Sequence, residues 1–191
     1  MRIITGSARG AKLKAPKGQG TRPTADRVKE SLFNILGNKV IGRRVLDVFA
    51  GTGNLGLEAL SRGAASAVFV DRATGKLLRE NAAHTRLQQK VEILPGDVFR
   101  ELSHLEEQGR NFDLIFCDPP YHLGLWQQAL LALDASQVLA HEGILVVEHG
   151  ADENELPELA HLVCVLNKKY GHTTQLSFFQ QKAYLAESEA E

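Results

Sequence analysis

The stretch "RVLDVFAGTGNLG", Arg44 to Gly56, decides the fold. Its opening "RVLDVF" is an apolar run of strand length, and the glycines that follow, spaced G-x-G-x-x-G, lead into the helical pattern "LGLEALSRG". A strand that turns on glycine straight into a helix is the setting in which a nucleotide-binding loop works. Gly51 and Gly53 permit the tight turn and let a ligand lie against bare backbone, while the N–H groups of the helix start favour a polar or anionic group. Asp71 follows Gly51 by twenty residues and closes the next apolar run, "SAVFVD", where a carboxylate can hold two ribose hydroxyls.

Outward from this loop, strand-like and helical runs alternate: "TGKLLRENAAHTRL", "VEILPGD", a polar helix to about Gln108, and "FDLIFCDPP". The alternation predicts βαβαβαβ and a parallel sheet covered by helices. A helix over 125–133 and the strand "GILVVEH" at 143–149 come next. The closing runs "HLVCVLNKKYG" and "TTQLSFFQQ", turning at Gly171-His172, read as an antiparallel hairpin. The fold class is therefore α/β and Rossmann-like, a mostly parallel seven-stranded sheet ending in an antiparallel hairpin. Ahead of it, "GAKLKAPKGQGTRPT" reads as Gly/Pro-punctuated loop or short strand, followed by a helix over 25–36 with Thr24 as its N-cap and Gly37 as its stop. The chain divides into a basic arm and helix at 1–40, the main domain at 41–185, and a disordered acidic tail at 186–191.

At 191 residues and 43% hydrophobic content the chain supports one well-buried domain. No apolar run is long enough to cross a bilayer, and "MRIITGSARG" lacks a secretory signal, so a cytoplasmic protein is expected. Cys117 and Cys164 sit in apolar runs and are expected to be buried free thiols. The seven histidines show no metal-ligand spacing, and no metal is expected.

The net charge of −1 conceals a segregation. Residues 1–44 carry eleven Lys or Arg against Asp26 and Glu30, a balance of +9, and the remaining 147 residues balance at −10. A basic arm on an acidic body is the footprint of a polyanion-binding region, because Lys and Arg neutralise phosphates with release of counterions.

Asp47 argues against a dinucleotide. A carboxylate near the end of the first strand repels a pyrophosphate and wants a cation, which the ammonium and sulfonium of S-adenosylmethionine supply. Asp97, in "PGDVF", either receives an adenine amino group or caps the next helix. Asp47, Asp71 and Asp97 thus fall at three successive strand ends.

The second motif is "DPPY", Asp118 to Tyr121, after the fourth strand. Two prolines end the ladder and stiffen the turn, presenting the Asp118 carboxylate and the Pro119 carbonyl as rigid acceptors. An exocyclic amine on a base is a poor nucleophile because its lone pair is delocalised into the ring. Hydrogen bonds from its two N–H groups to these acceptors would localise that pair and aim it at a methyl carbon. Tyr121 would stack on the base. Trp126, at helical spacing from Leu130 and Leu133, is expected to be core, and His122 to lie on the rim.

"DVFAGTGNLG" followed by "DPPY" resembles the amino-methylating class I S-adenosylmethionine-dependent methyltransferases. "RIITGSARGAKLKAP" and "TRPTADRVKESLFNIL" look like the N-terminal signature of the RsmD family, bacterial enzymes that methylate guanine N2 in small-subunit (16S) ribosomal RNA. The resemblance covers nearly the whole chain. It implies cofactor contacts from Asp47, Gly51, Gly53, Asn54, Asp71, Asp97 and Val98, a catalytic turn of Asp118, Pro119, Pro120 and Tyr121, and RNA contacts from Arg22, Arg27 and Lys29. Many relatives carry Phe where Tyr121 stands, so the phenol is expected to be dispensable. The implied partner is 16S ribosomal RNA or the assembling small subunit, with no membrane and no metal. The same turn serves adenine-N6 methyltransferases of DNA or RNA. A nicotinamide-dependent oxidoreductase would use the glycine loop but leaves "DPPY" and Asp47 unexplained.

Overall fold

The computed structural model describes residues 1–15, 23–153 and 155–188, with 23–25 described by backbone alone. The residues fall into two units, Met1–Asp97 and Val98–Glu191. Among the described residues the seven strands make one mixed sheet, and this is the α/β fold the alternating pattern predicts.

The first unit holds α1 (Pro23–Leu36), β1 (Arg44–Val48), α2 (Asn54–Ser61), β2 (Ser66–Val70), α3 (Gly75–His84) and β3 (Val91–Leu94). Its strands lie in the order β3-β2-β1, all parallel, with Leu46 opposite Val68 and Val68 opposite Glu92. β1 and β2 are each exposed only at their first residue, as befits central strands covered on both faces. Leu57 and Leu60 of α2 and Leu78 of α3 are buried with Val45, Leu46 and Phe69 in the core. Helix α1 begins at Pro23, so Thr24 lies inside the helix and is not its cap; the fixed φ of proline suits the first helical turn.

The arm does not stand apart from this unit. Arg2 and Lys12 form an antiparallel bridge, and Ile3 and Leu13 are buried. Side chains of α2 and α3 fasten the arm's backbone. Glu58 accepts the N–H groups of Ile4 at 2.7 Å and Thr5 at 3.0 Å. Ser61 donates its hydroxyl to the Thr5 carbonyl at 2.6 Å, and Asn81 exchanges hydrogen bonds with both backbone groups of Lys14.

The second unit holds α4 (Val98–Glu107), β4 (Phe112–Cys117), α5 (Leu125–Ala135), β5 (Leu139–Gly150), β6 (Leu162–Tyr170), β7 (Thr174–Gln181) and α6 (Lys182–Ser188). The strand order is β4-β5-β7-β6. β5 is parallel to β4, and β7 is antiparallel to both β5 and β6, which makes the predicted hairpin with its turn at 171–173. Trp126, Leu130 and Leu133 of α5 are buried, as the helical spacing predicts. Helix α6 runs to Ser188, three residues into the stretch expected to be disordered, and 189–191 lie outside the described residues. Cys117 is a buried free thiol and Cys164 a half-buried one.

Candidate active site

In the first unit the glycine loop leaves the carboxyl end of β1 and enters α2. Each glycine has its own reason. Gly51 and Gly53 take positive φ, +55° and +79°, which side chains rarely adopt. A Cβ on Gly51 would meet nothing nearer than the Phe49 carbonyl oxygen at 3.9 Å, so its backbone is open to a ligand. A Cβ on Gly56 would come within 2.4 Å of the Phe69 ring, so this third glycine lets the helix pack tightly on β2. Phe49 also takes a positive φ, 59°, a strain that a non-glycine residue keeps only where its surroundings impose it.

Asp71 sits just past β2 and binds this loop. Its Oδ2 accepts the Gly51 N–H at 2.9 Å, and its Oδ1 accepts those of Ala73 at 2.8 Å and Thr74 at 2.9 Å. Burial pushes its pKa up, but the N–H donors of Ala73, Gly51 and Thr74 outweigh burial and hold it below the ordinary carboxylate value. Asp71 is therefore a fixed, half-exposed anion beside bare backbone, and it fits a nucleoside ribose.

Asp47 is different. It is 2% exposed, and its Oδ2 accepts the Gly56 N–H at 2.8 Å, tying β1 to the first turn of α2. Burial, with Asp71 adding repulsion, pushes its pKa up to about 8 against the Gly56 hydrogen bond. The carboxylate expected to stand open for a cation thus lies inside the unit, because the loop folds over it. Asn54, the first residue of α2, accepts a hydrogen bond from Lys29 at 2.7 Å. Asp97 is exposed beyond β3, and Val98, the first residue of α4, is buried.

Of the three expected RNA contacts, Arg22 lies outside the described residues and Arg27 is exposed. Lys29 is neither: it is 1% exposed, and its ammonium donates to the Arg2 carbonyl at 2.6 Å and to Asn54, and pairs with Glu58 at 3.2 Å. Burial pulls its pKa down, and Glu58 opposes that pull. Lys29 is a structural cation, and the expectation that it faces phosphate is corrected. A signal was available: Leu32, Phe33 and Leu36 share its face at helical spacing and are all buried.

In the second unit the D-P-P-Y turn leaves the carboxyl end of β4. Asp118 is exposed and Pro119 buried. Tyr121 is half-buried, and its phenol donates to Glu148 Oε1 at 2.6 Å and lies 3.2 Å from Thr174 Oγ1. Burial raises the pKa of both Tyr121 and Glu148, the neighbouring Glu148 charge raises Tyr121 further, and the Tyr121 hydrogen bond draws Glu148 back down. The phenol is thus engaged: it anchors the ring to β5 and β7. His122 follows with a positive φ of 62°, a second strained non-glycine residue at a candidate loop. Trp126 is 1% exposed and stacks on His149 with ring centroids 4.3 Å apart.

Glu148 was missed by the sequence reading, although a lone acid at the end of the apolar run "ILVVE" is the pattern that drew attention to Asp47. Among the described residues no group of three or more His, Cys, Asp or Glu is placed to hold a metal ion, and no helix is long and apolar enough to cross a membrane.

The family model described as Conserved hypothetical protein 95 matches residues 1–180. The chain is 36% identical over 193 residues to Ribosomal RNA small subunit methyltransferase D of Escherichia coli strain K12, covering all of this chain and 94% of that protein. The solved structure of a hypothetical protein from Thermus thermophilus superposes with a TM-score of 0.77 at 33% identity, over 94% of this chain and 99% of that one. A SAM-dependent methyltransferase from Agrobacterium tumefaciens shares the fold, with a TM-score of 0.62 at 18% identity over 90% of this chain and 66% of that one.

Proposed function

The chain belongs to the Conserved hypothetical protein 95 family, and on that premise we propose that it transfers a methyl group from S-adenosylmethionine to the exocyclic N2 amine of a guanine in small-subunit (16S) ribosomal RNA. The observation that carries the reading is the D-P-P-Y turn at the end of β4, whose tyrosine is clamped by Glu148 and Thr174. A nicotinamide enzyme has no use for such a turn, whereas a rigid carboxylate, carbonyl and aromatic ring together are what an exocyclic amine on a base needs.

When bound, S-adenosylmethionine supplies a methyl carbon made electrophilic by its positive sulfur. The chain's own residues do the rest. Gly51 and Gly53 would offer backbone to the cofactor, Asp71 would accept its ribose hydroxyls, and Asp97 and Val98 would serve its adenine. Asp47 and Asn54 act mainly on the loop: Asp47 fixes the start of α2 from beneath, and Asn54 ties it to Lys29. Asp118 and the Pro119 carbonyl accept the two amine N–H groups and localise the nitrogen lone pair. Pro120 stiffens the turn, and Tyr121 stacks on the base, worth roughly 1–3 kcal/mol. As the N–C bond forms and the S–C bond breaks, the nitrogen loses one proton to Asp118, which is exposed and passes it to water.

The RNA is bound through cations of the arm, the exposed Arg27 and also Arg22, either as free RNA or in the assembling subunit, and that substrate implies a cytoplasmic protein. Calorimetric titration with S-adenosylhomocysteine and with NADH tests the cofactor: binding of the former alone is expected, and binding of NADH alone would overturn the reading.

A further inference from the structure

The second unit presents an electrostatic problem for an RNA enzyme. Residues 98–191 carry five Lys or Arg against fifteen Asp or Glu, a balance of −10, yet this is the unit with the D-P-P-Y turn. A surface of that sign repels a phosphodiester chain unless cations stand beside the reacting base. Two of the five cations are adjacent, Lys168 and Lys169, exposed near the tip of the β6–β7 hairpin.

Strand register places them. Glu148 of β5 faces Leu176 of β7, which faces Lys168 of β6, so these three form one row across the sheet. The next row, His149, Gln175 and Lys169, belongs to the opposite face, and the row after it is Gly150, Thr174 and Tyr170. Residues directly opposite in antiparallel strands share a face, so Lys168 and Tyr170 lie on the face where the Tyr121 phenol meets Glu148 and Thr174. Two strand spacings put the Lys168 backbone about 10 Å from that of Glu148. The Lys168 ammonium lies over the Tyr170 ring, 5.7 Å from its centroid, a cation–π contact that joins a cation to an aromatic ring. That pairing suits single-stranded nucleic acid, with phosphate met by the ammonium and a base stacked on the ring.

We propose that the β6–β7 hairpin is an RNA-contacting surface, in which Lys168 neutralises a phosphate flanking the target nucleotide and Tyr170 stacks a neighbouring base. The proposal rests on the RNA substrate reading above. It divides RNA binding between the arm of the first unit and the hairpin of the second, each held by its own fold.

The test is filter binding of a small-subunit ribosomal RNA fragment to the full chain over a range of salt concentrations. One lost phosphate contact in a Lys168→Ala variant is expected to reduce the slope of log affinity against log salt by about 0.7–0.9. A Lys168→Arg variant is expected to keep the wild-type slope, and Tyr170→Ala to weaken binding roughly tenfold at unchanged slope. Affinity for S-adenosylhomocysteine should be the same in all, which confirms that each variant is folded. Wild type that binds RNA beside a Lys168→Ala variant of equal slope and affinity would overturn the hairpin proposal alone. Wild type that binds no RNA would overturn the substrate reading and the hairpin with it.

Discussion

Lys29→Ala separates a structural cation from an RNA contact, because the two roles move different observables. The ammonium makes three polar contacts, to the Arg2 carbonyl at 2.6 Å, Asn54 Oδ1 at 2.7 Å and Glu58 Oε2 at 3.2 Å. Deleting it leaves the Glu58 side chain fully buried with the Arg62 guanidinium at 2.8 Å and two backbone N–H donors. Removing one partner of a buried ion pair costs about 3–5 kcal/mol, and the surviving Arg62 contact places this case near the lower figure, about 3 kcal/mol. Lys29→Met keeps the aliphatic stem and isolates the charge. The assay is urea denaturation of both variants beside RNA filter binding at several salt concentrations. Loss of about 3 kcal/mol with an unchanged salt slope is expected. Stability within about 1 kcal/mol of wild type, with a slope smaller by one phosphate contact, would show that Lys29 faces RNA and would refute the argument from burial.

Asp71→Ala removes the acceptor for the Gly51, Ala73 and Thr74 N–H groups and for the ribose, and it should weaken S-adenosylhomocysteine binding by about 1–3 kcal/mol in calorimetry; unchanged affinity would reject the ribose assignment. Asp47 has a folded pKa pushed up to about 8, so between its ordinary value and that figure the native state holds a proton that the unfolded state lacks. Wild-type stability should therefore fall as pH rises through 5 to 8, by as much as about 1.4 kcal/mol per pH unit, relative to Asp47→Asn, which cannot ionise but still accepts the Gly56 N–H. Parallel stability curves for the two proteins over that range would contradict the burial argument. Tyr121→Phe keeps the stacking ring but releases its anchor on Glu148, so methyl transfer should slow about tenfold while RNA affinity stays within about twofold. A wild-type rate in that variant would show the phenol to be dispensable.

The features legible in the sequence are those set by local chemistry. The glycine loop, the alternation that builds the sheet, the closing hairpin and the D-P-P-Y turn each depend on residues a few positions apart, and each stands where the spacing places it. What was not legible depends on partners distant in sequence. Glu58 reads as one polar residue on an amphipathic helix, yet it is the fully buried hub that fastens Ile4 and Thr5, more than fifty positions away. The +9 balance of residues 1–44 suggests an outward surface, but charge counting cannot tell an ammonium that faces water from one like Lys29 that lies on the buried side of α1. Tyr121 was judged from its ring, because its phenol's partners, Glu148 and Thr174, come from two later strands. The positive φ at Phe49 and His122 has no signature in residue type, since non-glycine residues keep that conformation only when the surrounding fold imposes it.

The most direct test of the central claim is methylation of small-subunit ribosomal RNA taken from cells that lack this protein, with wild type and Asp118→Ala compared by mass spectrometry of the nucleosides. Wild type with S-adenosylmethionine should convert one guanosine to N2-methylguanosine, and Asp118→Ala, at unchanged S-adenosylhomocysteine affinity, should convert almost none. Methyl groups appearing on adenine N6, or an Asp118→Ala variant within tenfold of the wild-type rate, would contradict the account.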